Sequence, residues 1–288
     1  MTNLDLVLTQ PWPLPLRRLL LEGRQAFRQG RMDLACRRYE EALRIEPNIP
    51  EAHLGLALAR RPGPDYLAWL KTLHDTLRPA LYLEIGVEAG DTLRLAGSGT
   101  TAVGIDPAPR IPADRPLPAS TRVVAMTSQA FFADARAAAS LPGPIDFAFI
   151  DGDHRFEAVL RDFIAVEAHM APTGVIALHD TWPLNPGTAT DTRHTGFYTG
   201  DGWKLIPCLR AIRPDLRLLT IPAPPTGLTL VTALDPSSTV LRERLGSVLA
   251  AYAALPYGPG SERLLALSSN GPAALDQVLA WRAMAAAK

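Results

Sequence analysis

Between residues 80 and 180 the chain repeats one pattern: a short run of Val, Ile, Leu and Phe, then a stretch with helical spacing. The runs are ALYLEIG, TTAVGID, TRVVAM, IDFAFID and GVIALHD. The helical candidates are DTLRLA, SQAFFADARAAA and FEAVLRDFIAVEAHM, with DYLAWLKTLHDTL ahead of the first run. Strands and helices alternating at these lengths predict an α/β fold whose mostly parallel sheet is covered on both faces. Further on, LRLLTIPAPPTGLTLVTAL reads as two strands joined by a Pro/Gly turn, an antiparallel pair at the sheet edge.

The break RRPGP at 60–64 separates this region from a helical one. LLLEGRQAFRQG stops at Gly30, and MDLACRRYEEALRIEP begins near Asp33 and ends before Pro47, the stop signals of an αα-hairpin. EAHLGLALA then starts a further helix. The segment resembles a tetratricopeptide repeat: Leu19, Gly23, Ala35, Tyr39, Ala42 and Pro47 fall where that repeat interlocks large and small residues, while Glu22 and Ala26 depart from it. About three repeats are needed for a freestanding array, so this one must pack on something else. It would be either a cap on the main domain or a surface for a protein partner. The expected division is a helical cap at 1–62, an α/β domain at 63–236 and a helical extension at 237–288.

Composition excludes several classes. Lys+Arg and Asp+Glu are 29 each, so no global charge draws the chain to nucleic acid or an anionic membrane. No apolar run is long enough to span a bilayer. The opening MTNLDLVLTQPWPLPLRRLL lacks the basic and apolar regions of a signal peptide. The two cysteines, Cys36 and Cys208, have neither the density of a disulfide scaffold nor the spacing of a zinc site. A reduced, cytoplasmic setting is the expectation, and a homo-oligomer is compatible with it.

The chemistry concentrates at the ends of the apolar runs. The first ends in Glu84, Gly86 and Gly90, and the next in Asp106. Ligands of open α/β sheets bind beyond the carboxyl ends of the strands, where glycine permits a sharp turn and a close approach. An acid ending the second strand can accept hydrogen bonds from ribose hydroxyls. The glycine spacings of a dinucleotide site and of a phosphate loop are both absent, which places a dinucleotide oxidoreductase last among the enzyme readings. A local alternative has Glu84 capping a turn and Asp106 opening the Asp-Pro turn. Two later runs end in Asp151, Asp153 and His154, and in His179 and Asp180. If those strands are neighbours, the clusters converge. Carboxylates with imidazole can bind a divalent cation, and His is a serviceable general base. Asp153 is assigned mainly to capping the helix that starts near Phe156.

The set resembles motif I and the acidic second-strand motif of class I S-adenosylmethionine-dependent methyltransferases over roughly 66–234. That resemblance implies a Rossmann-like seven-stranded, mostly parallel sheet with an antiparallel last strand, which the 216–234 pair would supply. It implies S-adenosylmethionine as cofactor, with Gly86 and Gly90 along its methionine portion. Glu84 would hold the amino group or the loop, Asp106 the ribose, and Ser128 would lie near the adenine. DGDHRFEAVLRDF with GVIALHD is similar to the macrocin O-methyltransferase and cephalosporin-hydroxylase-like subgroup. There, Asp151 and Asp180 would hold magnesium or another divalent cation, His179 would stand where some relatives carry an acid ligand, and His154 would be the base. Asp151 and His154 are thus the catalytic candidates, and Asp151, Asp180 and His179 the metal candidates. The implied activity is methyl transfer to a small hydroxylated acceptor. A metal-dependent hydroxylase-like enzyme and a non-catalytic helical scaffold are the alternatives. The long segment after the fifth run offers His194 and Tyr198 as acceptor-pocket candidates, with Trp203 and Leu205 as packing residues.

Overall fold

The computed structural model describes residues 12–287; the first eleven residues of the opening stretch, on which the signal-peptide reading falls, lie outside them. The strands are β1 (Leu81–Ile85), β2 (Thr101–Ile105), β3 (Thr121–Val124), β4 (Ile145–Ile150), β5 (Met170–His179), β6 (Arg217–Ile221) and β7 (Leu228–Thr232). They form one seven-stranded sheet in the order β3-β2-β1-β4-β5-β7-β6. All pairings are parallel except those of β7, which runs antiparallel to β5 and β6. Strand order reverses between β1 and β4, the point where a doubly wound sheet opens a crevice.

Side chains two apart share a face of a strand, and the sheet is apolar on both. Leu81, Leu83 and Ile85 join Ile150, Phe163 and Leu209 in one core layer. That layer carries the helices α7 (Phe156–Glu167) and α8 (Leu205–Ile212). Tyr82, Phe147 and Phe149 face the other way, onto Trp69, Leu70 and Leu73 of α4 (Tyr66–Leu77). Ala274 and Val278 of the C-terminal helix Pro272–Ala286 are buried in the same layer, so this end of the chain covers the sheet itself. Among the described residues no helix is long and apolar enough to cross a membrane.

The cap consists of α1 (Leu14–Arg28), α2 (Met32–Ile45) and α3 (Pro50–Arg60). Tyr39 is fully buried at their centre, and a Cβ on Gly23 would lie 3.0 Å from its ring. A Cβ on Gly55 would press on that ring from α3. The cap has its own core, which also takes in Leu184 and packs against Phe197, both from the segment after β5.

Two expected helices differ. DTLRLA makes only one 3-10 turn, Leu93–Leu95. Its start is tied down, because Gly90 is left-handed (φ +75°) and Thr92 is bonded to Glu84. SQAFFADARAAA breaks at Asp134, whose carboxylate accepts from the Arg136 and Ala137 amides and caps a second short helix.

Candidate active site

The carboxyl ends of β1, β2, β4 and β5 open on one cleft of about 800 Å³. Gly86, Asp106, Ser128, Asp151, His154, His179 and Asp180 all line it. Glu84 and Gly90 do not line it.

The β1 and β2 half of the cleft is built by acids turned on the protein's own groups. Glu84 is fully buried; it accepts from Tyr82 Oη at 2.7 Å and from Thr92 Oγ1 at 2.7 Å. Burial pushes its carboxyl up to about 8, against the lowering effect of those two bonds. Glu84 therefore holds the loop through Thr92, which does reach the cleft. Asp106 Oδ2 accepts from the Val87 and Glu88 amides, each at 2.9 Å, and Oδ1 from the Ala108 amide at 2.7 Å. Gly86 is left-handed at φ +88°, and a Cβ there would overlap the Asp151 carbonyl. Glycine is required for the β1 and β4 turns to touch. Deeper along the wall, Asp162 is buried beside Ser128, and burial pushes its carboxyl up to about 6 against a hydrogen bond with that serine.

In the β4 and β5 half the acids face imidazoles. His154 Nδ1 pairs with Asp180 Oδ2. His179 Nδ1 lies 3.1 Å from Asp151 Oδ1 and 3.6 Å from Asp180 Oδ1, and its Nε2 lies 3.3 Å from Thr226 Oγ1. Asp180 has a left-handed backbone (φ 54°), uncommon for a residue with a side chain and often stored at functional sites. Burial disfavours the charged His154 ring, but Asp180, with Asp151 and Asp153 beyond it, outweighs burial and raises the ring to about 9. Burial likewise opposes charge on His179, and Asp151 and Asp180 raise it. Asp180 stays below the usual carboxylate range in spite of its burial, because both imidazoles attract its charge. Ligand atoms of Asp151, His154 and Asp180 come within 4.8 Å of one another. Two carboxylate oxygens and one imidazole nitrogen suit magnesium, manganese or a borderline transition metal. His154 completes this trio; His179 stands behind it as a hydrogen-bond partner of Asp151.

Several supports were not evident in the sequence. Asp153 does not cap α7: its carboxylate is held by the Arg155 amide and side chain. The Phe156 amide donates instead to Asp201 Oδ1 at 2.7 Å, from 45 positions downstream, and Lys204 pairs with the other oxygen of Asp201 at 2.8 Å. Tyr66 lines the cleft with its ring 4.2 Å from His179. Tyr198 lines it too, 5.7 Å from the His154 ring, whereas His194 is not among the lining residues. Trp203 and Leu205 are fully buried packing residues.

Residues 83–181 match the model of a methyltransferase domain family, Methyltransf_24. The matched span starts in β1 and ends just past Asp180, so it holds every strand end that opens on the cleft. The match marks residues 83–181 as a methyltransferase domain, and the strand order agrees with the S-adenosylmethionine-dependent class of that enzyme. Solved structures of similar fold include cofactor-bound Rv0187 from MTB, at 18% identity and TM-score 0.44, covering 63% of this chain and 89% of that one. The O-methyltransferase from Bacillus cereus in complex with SAH is 16% identical with TM-score 0.42, covering 66% and 94%. The SAH-bound Podospora anserina methyltransferase PaMTH1 is 14% identical with TM-score 0.45, covering 69% and 88%. No curated protein gives a significant match.

Proposed function

We propose that the chain methylates a hydroxyl of a small molecule through Asp151, Asp180 and His154, the two aspartates holding a divalent cation and the histidine taking the proton. The observation that carries this reading is the single cleft joining Gly86, Asp106 and Ser128 to that trio. Bound S-adenosylmethionine supplies an electrophilic methyl on a cationic sulfonium. The cleft favours that charge, since Glu88, Asp91, Asp106, Asp151, Asp153, Asp162 and Asp180 line it against Arg155, Arg193 and the imidazoles of His154 and His179. A bound divalent cation would polarise the acceptor oxygen and neutralise the carboxylates that hold the proton on His154. Asp180 fixes the His154 ring through Nδ1, and the neutral ring takes the hydroxyl proton. Tyr66 and Thr226 fix His179, which in turn orients Asp151. The walls keep the reacting groups aligned.

Calorimetry with S-adenosylmethionine is the first test, followed by a mass-shift screen of hydroxylated metabolites with magnesium, with manganese and with chelator. The expected result is cofactor binding, S-adenosylhomocysteine as product, and turnover suppressed by chelator. Lack of binding at millimolar S-adenosylmethionine would sink the enzyme reading in favour of a scaffold. An oxidised product without S-adenosylhomocysteine would move the chemistry to the hydroxylase-like class. Full turnover in chelator would remove the cation alone.

A further inference from the structure

The segment after β5 is fastened at four places. At its neck, the Thr199 amide and hydroxyl both donate to the Thr188 carbonyl, at 3.0 and 2.6 Å. Past the neck, the Gly202 amide donates to the His154 carbonyl at 2.8 Å, and Gly200 (φ +65°) passes so close to that carbonyl that a Cβ would overlap it. Between Thr188 and Thr199 lies the tip, which brings Arg193, Gly196 and Tyr198 into the cleft wall. The tip's other hydrogen bonds close on themselves: Thr190 to Thr192, Arg193 to the Thr195 and Gly196 carbonyls, Tyr198 Oη to the Asp191 carbonyl. Among the described residues, one hydrogen bond ties residues 190–198 to another element, from the Gly196 amide to Asn48 Oδ1 at 2.7 Å. Asn48 belongs to the cap, just ahead of α3. Beside it, Phe197 stacks on His53 (5.5 Å between centroids, 8° between planes), and a Cβ on Gly196 would meet Pro50 Cγ at 2.5 Å. Arg61, at the end of α3, fastens the cap to the start of the same segment. It donates to the Pro183 carbonyl at 2.9 Å and lies 4.1 Å over the Trp182 ring.

We propose that the N-terminal helical cap is the strut of the acceptor wall, with Asn48 as the positioning residue that holds loop 190–198 beside His154. The inference rests on the methyl-transfer reading for the identity of the wall. The nucleoside side of the cleft is made by the turns after β1, β2 and β3, whereas this loop borders the β4 turn through Tyr198 and His154. A compact loop closed at its neck and held at its tip by one hydrogen bond and one stacked ring opens locally when the tip is released. The cap thus spends its inner face on this chain's own loop, a use distinct from recruiting another protein.

The test compares wild type with Asn48→Ala and Asn48→Asp, the latter keeping an acceptor oxygen. Asn48 is exposed, so both variants are expected to fold. Amide exchange is followed over 190–198, S-adenosylmethionine affinity by calorimetry, and methyl transfer with catechol and methyl glucoside as an aryl and a pyranose probe. In Asn48→Ala, exchange across 193–198 is expected to accelerate about fivefold and KM for the methylated probe to rise about fivefold, the factor one net hydrogen bond is worth. S-adenosylmethionine affinity stays unchanged and kcat changes less than KM, and Asn48→Asp restores both readouts. Unaltered exchange in Asn48→Ala overturns the strut. Accelerated exchange with an unmoved KM overturns its role in the acceptor wall. Wild type that binds S-adenosylmethionine yet methylates neither probe overturns the acceptor assignment. Wild type that does not bind S-adenosylmethionine at all overturns the methyl-transfer reading, and the exchange arm then decides the strut alone.

Discussion

The two halves of the cleft use the same residue type in opposite ways. After β1 and β2, Glu84 and Asp106 spend their oxygens on a tyrosine, a threonine and three backbone amides. After β4 and β5, Asp151 and Asp180 spend theirs on imidazoles at the cleft surface. The first pair shapes a loop, and the second faces the cleft beside two titratable rings. A strand-end acid is therefore not a functional group by position alone; what it touches decides.

The contrast is broken most severely at the second pair. Asp151→Ala and Asp180→Asn are each expected to lower turnover about a thousandfold, the scale of losing positioned acid–base or metal assistance, with S-adenosylmethionine affinity within about twofold by calorimetry. Loss of cofactor binding in either variant would erase the division between the halves. At the seam, Gly86→Ala is expected to cost about 3 kcal/mol or more in denaturant unfolding, from a strained φ and overlap with the Asp151 backbone.

In the first half, Glu84→Ala leaves the buried Tyr82 and Thr92 hydroxyls without their partner and is expected to cost about 2–3 kcal/mol. Glu84→Gln, matching the neutral acid, should cost about 1 kcal/mol or less near neutral pH. Glu84 also carries a pH signature. Its native carboxyl is raised to about 8, so its favourable contribution is fully present below about 4.5 and is lost as pH rises through 8. Glu84→Gln should flatten that decline in stability curves recorded from pH 5 to 9. The smallest effect is spectroscopic. In metal-free protein, His154 should stay protonated through neutral pH and titrate near 9 by NMR. In Asp180→Asn burial is left with less opposition, and the titration should move down. An unmoved titration would assign the raised value to Asp151 and Asp153.

The sheet was legible because its strands are buried on both faces, and runs such as IDFAFI carry no competing helical period. The convergence of Asp151, His154 and Asp180 was legible for a related reason: polar groups ending such runs must share one edge of a parallel sheet. Glu84's inward direction was available as well. Tyr82 and Glu84, two apart on β1, share a face, and that face is core. The capping of α7 by Asp201 was not legible, because the nearer Asp153 satisfied every local rule and the choice was made by a contact from 45 residues away. Asn48, Tyr66 and Thr226 escaped for the same reason. Each acts through contacts from far along the chain, with no spacing that marks it in the sequence.

The abutment of Gly86 on Asp151 has a consequence for anyone redirecting this enzyme to a new acceptor. The Gly86 turn, which under the proposed function would cradle the donor, and the turn presenting Asp151 form one joint, so a bulky substitution in either displaces both. Selectivity is better retuned from the removable side, the loop propped by Asn48, where residues can be exchanged without disturbing the seam.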